Sequence, residues 1–147
     1  MVSILQPKQK VEPLPTPSPT VSSVPETSIS HFLKKGNAKA DEGDYQGAID
    51  YYDQAISLNP EYALAYNNRG FAYWNLKEYQ KAISNYNKAI SLNSEYALAY
   101  NNRGNAKSDL GDKQGAIADF EKAAELYQKQ GDYQNAQDAL ERVNKLQ

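Results

Sequence analysis

Residues 55–70 read AISLNPEYALAYNNRG, and residues 89–104 read AISLNSEYALAYNNRG. The two stretches start 34 positions apart (89 − 55 = 34) and differ only at Pro60 against Ser94. Thirty-four residues is the length of a helix–turn–helix unit. One such unit cannot bury its apolar face alone, so copies must stack into a curved solenoid with a concave wall. The expected fold class is all-α, a right-handed α-solenoid, and its concave wall is a surface for binding rather than a reaction centre.

Working outward, turn residues divide the chain. Ser28 or Ser30 is expected to cap a first helix running to about Asp41, and Gly43-Asp44 to break it. Asp44 then caps a second helix over 45–57. Asn59-Pro60 reads as a cap followed by proline at the first helical position, opening a third helix over about 60–76. A fourth is expected over 78–91, and a fifth from Asn93 or Ser94 to about Gly111. Asp112 caps a sixth reaching 129 or 130, and Gly131-Asp132 precedes a seventh over 133–146.

Small and large residues recur with the same period. Gly36, Gly70 and Gly104 are 34 apart, as are Ala48, Ala82 and Ala116. Glycine inside a helix costs about 1 kcal/mol relative to alanine, so close approach of a partner helix is expected there, with the alanines facing the glycines. Phe32, Tyr66 and Tyr100, then Tyr52, Tyr86 and Phe120, then Ala55, Ala89 and Ala123 are expected to fill the space between helices.

On these residues the chain resembles the tetratricopeptide repeat family. The family pattern of a large residue, Gly, Ala, an aromatic and Ala is met by Phe32, Gly36, Ala48, Tyr52 and Ala55. It is met again by Tyr66, Gly70, Ala82, Tyr86 and Ala89, and by Tyr100, Gly104, Ala116, Phe120 and Ala123. The resemblance covers about residues 29–130, with repeats at about 29–62, 63–96 and 97–130. Arg69 and Arg103 stand where the pattern usually has Leu, and their stems are expected to pack while the guanidinium reaches solvent. Gly131-Asp132-Tyr133 copies Gly43-Asp44-Tyr45, so the sixth helix is expected to serve two repeats, with 133–146 as a polar cap closing the array.

Residues 1–28 are a different material. Six of the seven prolines lie there with Ser and Thr between them, which reads as a disordered or polyproline-like tail before a domain over 29–147. The tail lacks the charged start and apolar core of a secretory signal, and no apolar run is long enough to span a membrane. The chain is therefore expected to be soluble, in a compartment the sequence does not fix. A formal charge of −2 argues against nucleic-acid partners. There is no cysteine, and no phosphate loop or metal-ligand cluster appears, so no cofactor and no metal are expected. The single histidine, His31, has no nucleophile beside it, and no carboxylate pair is set apart, so no enzyme activity is expected.

The candidate site is the inner wall, which in this family the first helix of each repeat lines. The resemblance places Asn37, Leu64, Asn68, Phe71, Trp74, Leu98, Asn102 and Asn105 on it. An asparagine amide both donates and accepts, so it can pair with a peptide backbone. Asn68 and Asn102, one repeat apart, resemble the asparagine ladder by which some members hold an extended peptide. Leu64, Phe71, Trp74 and Leu98 would receive apolar side chains, with Trp74 as the energetic anchor.

Members that grip the terminal carboxylate of chaperone tails use two Asn, two Lys and an Arg on this wall. Asn37 and Asn68 match the asparagines, but Leu33, Leu98 and Asn102 occupy the cationic places. Lys34 and Lys35 are expected to point elsewhere at 100° per residue, so no chaperone-tail clamp is expected. The function read from all this is a non-enzymatic module binding an extended peptide or partner helix in the groove, as scaffold or assembly factor. The rivals are a homo-oligomer of self-associating repeats and a groove autoinhibited by the proline-rich tail.

Overall fold

The computed structural model describes residues 26–147, so the tail expectation lies outside the described residues. Among them are seven helices and no strand: α1 Glu26–Asp41, α2 Tyr45–Leu58, α3 Ala63–Asn75, α4 Tyr79–Leu92, α5 Ala97–Asp109, α6 Lys113–Lys129 and α7 Tyr133–Leu146. None of these helices is long and apolar enough to cross a membrane. The connecting turns are short, so successive helices run antiparallel and stack into a helical solenoid.

Three starts follow from aspartate. Asp44, Asp112 and Asp132 accept from the backbone N–H of Gly47 (2.9 Å), Gly115 (2.9 Å) and Asn135 (3.2 Å), satisfying donors that a helix start leaves open. The glycine before each of these turns has positive φ, 81° at Gly43, 84° at Gly111 and 80° at Gly131. In the α3–α4 turn Lys77 takes that conformation, at 61°.

Three expected starts are corrected, the third being Asn93 or Ser94 for α5, which begins at Ala97 while Asn93 closes α4. Ser28 and Ser30 lie inside α1, which begins at Glu26. Asn59-Pro60 does not open α3; Asn59 closes α2, its N–H donating to Ala55 O. Its Oδ1 accepts from Glu61 N–H at 3.0 Å, and Asn93 does the same for Glu95 at 3.1 Å. Ser94 stands where Pro60 does, so the asparagine and not the proline makes this turn.

The periodic glycines make room for rings, not for alanines. A methyl at Gly70 would lie 2.7 Å from Cε1 of Tyr86, one at Gly104 2.8 Å from Cε1 of Phe120, and one at Gly36 2.5 Å from Cε1 of Tyr52. These three rings are buried between the helices of each pair. Ala48, Ala82 and Ala116 are wholly buried beside them. Burial raises the Tyr86 hydroxyl well above the ordinary tyrosine value, and burial, then the charge of Asp41, raises that of Tyr52. The unfolded chain therefore loses these protons first. Stability is whole below pH ~10, the ordinary tyrosine value, and falls as pH climbs above it. Melting temperatures between pH 8 and 11 should drop steeply past 10, and less so in Tyr52→Phe; a flat profile would remove this reading.

α6 packs on α7 as closely as the two helices within each earlier pair. Ala123, Ala124, Leu126 and Tyr127 of α6 share one cluster with Ala136 and Ala139 of α7, while Phe120 meets Val143. Phe120 also fills the space at Gly104, so α6 is second helix to α5 and first helix to α7.

Arg69 and Arg103 differ from expectation. The guanidinium of Arg69 donates to Asn85 Oδ1 of α4 (2.7 Å) and Asp53 Oδ1 of α2 (2.7 Å). That of Arg103 donates to both oxygens of Asp119 on α6 (2.8 and 2.7 Å) and to Asn87 Oδ1 on α4 (2.8 Å). Each arginine ties its own pair to the preceding one, with the carboxylate before it in one case and after it in the other. Lys107 adds a third contact to Asp119, at 3.0 Å.

Candidate functional site

The first helices of the pairs, α1, α3 and α5, meet through amides. Tyr52 OH donates to Asn37 Oδ1 at 2.7 Å, and Asn68 Nδ2 donates to the same oxygen at 3.1 Å. Asn67 Nδ2 donates to Asn68 Oδ1 at 3.3 Å, and Asn102 Nδ2 to Asn67 Oδ1 at 3.2 Å. The chain of amides ends at Asn102 Oδ1, buried and without a partner among the described residues. A ladder is present, but it runs within the protein.

This corrects the expected exposure of two site residues. Asn68 and Asn102 are completely buried and engage neighbouring helices, because an amide that leaves water at a helix contact must find its partner there. Leu64 is likewise buried, in the cluster with Leu33 and Tyr52. Asn37 stays half-buried. Its Oδ1 accepts twice from inside, which fixes the amide so that both Nδ2 protons are left without a partner among the described residues.

The other wall residues divide. Phe71 is partly exposed and stands edge-on to Tyr45, with centroids 6.3 Å apart. Trp74 donates from Nε1 to Asp109 Oδ2 at 2.7 Å and packs beside Ala82, Tyr86 and Ala106, so much of its ring serves the next helix pair. Asn105 Oδ1 accepts from Arg142 Nη1 of α7 at 2.7 Å. Leu98 is half-buried at the start of α5.

Leu33 is wholly buried in the core, and Lys34 is the exposed neighbour. It lies 34 before Asn68 and 68 before Asn102 and so holds their place on α1. It takes part in none of the ion pairs among the described residues.

Sequence reasoning also missed a cleft of about 580 Å³ at the edge where α3 and α5 begin, lined by Tyr62, Leu64, Tyr96, Leu98 and Tyr127, with Glu61 and Glu95 beside them. The repetition of Glu-Tyr-Ala-Leu at 61–64 and 95–98 was the available signal. Lys129 and Gln130 at the end of α6 bond Glu95 and close one side.

Family models match along the array. The TPR repeat model covers residues 36–77, and tetratricopeptide repeat models cover 63–96, 97–129 and 120–146. The Arabidopsis OM64 TPR domain is 30% identical, over 81% of this chain and 96% of that one, with a TM-score of 0.73. The chain belongs to the tetratricopeptide repeat family.

The last two models overlap over residues 120–129, within the α6 that two tetratricopeptide hairpins share. The first TPR of Spaghetti (RPAP3), bound to the HSP90 peptide SRMEEVD, is 30% identical over 83% of this chain and 94% of that one, with a TM-score of 0.73. The second TPR domain of human RPAP3, in complex with the HSP70 peptide SGPTIEEVD, is 30% identical over 84% and 98%, with a TM-score of 0.73. No curated protein matches the chain. Two tetratricopeptide relatives of this similarity hold chaperone peptides, so the expected exclusion of a chaperone-tail clamp does not stand. The exclusion rested on Leu33, Leu98 and Asn102 standing at the cationic places, and the peptide complexes of similar domains overturn it.

Proposed function

We propose that the chain is a peptide-binding module that acts by holding, not by catalysis, and serves as a scaffold or assembly factor. Its ligand is an extended carboxyl-terminal peptide of the acidic kind found on the RPAP3 domains. The observation that carries this reading is the locked amide of Asn37, whose two Nδ2 protons have no partner among the described residues and stand one helical turn from Lys34, which makes no ion pair among them. A carboxylate between them would gain charge-assisted hydrogen bonds in a partly desolvated place. Asn67, Asn68 and Asn102 act behind this pair by holding the first helices in register. Phe71 and Leu98 offer apolar contact further along, and Leu64 and Trp74 support them from within the packing.

The test is a titration of SRMEEVD against the full chain, followed by fluorescence anisotropy. A hydrogen bond to a charged group is worth about 1.5–3 kcal/mol, so Asn37→Ala and Lys34→Ala should each weaken binding at least tenfold. Amidating the peptide terminus should do the same, while Asn105→Ala should leave affinity unchanged. Equal affinity for the free acid and the amide would rule this site out.

A further inference from the structure

Asn105 stands 68 after Asn37 (105 − 37 = 68), two repeats along the same face of the first helices. Its amide is also fixed from one side: Oδ1 accepts from Arg142 Nη1 at 2.7 Å, and both Nδ2 protons are left without a partner among the described residues. The donor is a half-buried cation. Arg142 comes from α7 and lies over the Phe120 ring, 5.7 Å from its centroid. Burial holds the guanidinium below the ordinary arginine value, against the opposing pull of Asp138, so water screens its charge poorly. Its hydrogen bond goes to a neutral amide, and none of the ion pairs among the described residues includes it.

A guanidinium carries more N–H donors than one amide oxygen can use, set in a planar fork that matches a carboxylate. The unused donors of Arg142 and the amide protons of Asn105 together make a charged donor set. The carboxylates one turn away on each helix are engaged: Asp138 accepts from Gln134 Nε2 at 3.0 Å, and Asp109 from Trp74 Nε1 at 2.7 Å. Spacing ties this set to the groove. α1 meets α3 and α3 meets α5. Packed helix axes lie about 8–10 Å apart, so the two steps from Asn37 to Asn105 come to about 16–20 Å. An extended peptide advances about 3.3 Å per residue. A peptide held by its last residue at Asn37 therefore brings the side chain about five positions earlier beside Asn105. In SRMEEVD that side chain is arginine, which would meet the like charge of Arg142.

We infer that Arg142 and Asn105 form a second anion subsite at the far end of the groove, which takes an acidic side chain about five residues before the terminal carboxylate of the ligand. The inference rests on the proposed anchoring of that carboxylate at Lys34 and Asn37. It makes the preferred ligand of this chain a peptide that is acidic at both ends of the bound stretch.

The test is an anisotropy titration of SRMEEVD, SQMEEVD, SEMEEVD and SREEEVD against the full chain. SEMEEVD should bind about tenfold tighter than SQMEEVD, the scale of a hydrogen bond to a charged group. SREEEVD, whose added acid falls nearer the middle of the wall, should gain little over SRMEEVD. Arg142→Gln and Asn105→Ala should each remove most of the advantage of SEMEEVD over SQMEEVD, and neither should weaken binding of SRMEEVD, which also reports that the variants are folded. Arg142→Lys should keep part of the advantage. SRMEEVD that binds while SEMEEVD shows no advantage over SQMEEVD overturns the inference alone. So does an equal gain from SREEEVD, or an advantage that survives in Arg142→Gln. Binding of neither SRMEEVD nor SEMEEVD overturns the anchoring and the inference together. The comparison of peptides on the unaltered chain decides even where a variant fails to fold.

Discussion

Asp119→Asn is expected to cost about 3 kcal/mol of folding stability. The carboxylate is only 4% exposed and receives three cationic contacts, two from Arg103 and one from Lys107. Removing one partner of a buried ion pair leaves uncompensated charge, at a cost of about 3–5 kcal/mol, and the low end applies because the arginine and lysine are partly exposed. The repeat supplies its own rescue. Asn85 already stands 34 before Asp119, and there Arg69 finds its carboxylate at Asp53 instead. Adding Asn87→Asp to Asp119→Asn rebuilds that arrangement around Arg103 and should recover at least half the loss in urea denaturation. A double variant no more stable than the single one would show that the charge at 119 acts through something other than Arg103.

Gly70→Val is expected to lose about 2–3 kcal/mol, although valine is the better helix residue by a few tenths. The added carbon would meet Cε1, Cδ1 and Cζ of Tyr86 at 2.7, 2.9 and 3.1 Å. That ring is wholly enclosed, so the helices must part, and overpacking of this kind costs roughly 1–3 kcal/mol. The matching control is Gly47→Ala. Its carbon would meet only the exposed carboxylate of Asp44, so the change should stay within about 1 kcal/mol, the scale of one cap. Combining Gly70→Val with Tyr86→Leu should cost less than the two changes summed, since the smaller side chain makes room. Strict additivity in thermal melts would mean that the glycine serves something other than this ring.

The elements were legible where one residue type has one local solution. An aspartate after a left-handed glycine caps a helix at 44, 112 and 132 wherever it falls. Asn59 was not legible, because an asparagine beside a proline can open a helix or close one, and the choice depends on how α2 packs. The site was legible as a set of positions more than as a set of roles. Asn37, Asn68 and Asn102 do lie in one connected row, but a list of amides carries no direction. Whether each faces a ligand or the next helix is settled by burial across repeats.

The shared helix α6 also sets where this molecule loosens first. In a linear array each unit leans only on its neighbours, and opening starts at whichever end is held least. At the carboxyl end no unit can leave alone, since releasing α7 strips the cover from Phe120 and Tyr127 on a helix that α5 still needs. At the other end α1 and α2 are joined to the rest across a single face. The tethered end is thus the anchor and the first hairpin the fraying one, and Lys34 and Asn37 both stand on that hairpin. A ligand that binds them favours the closed end state over the frayed one, so occupancy and folding of the first hairpin become one equilibrium.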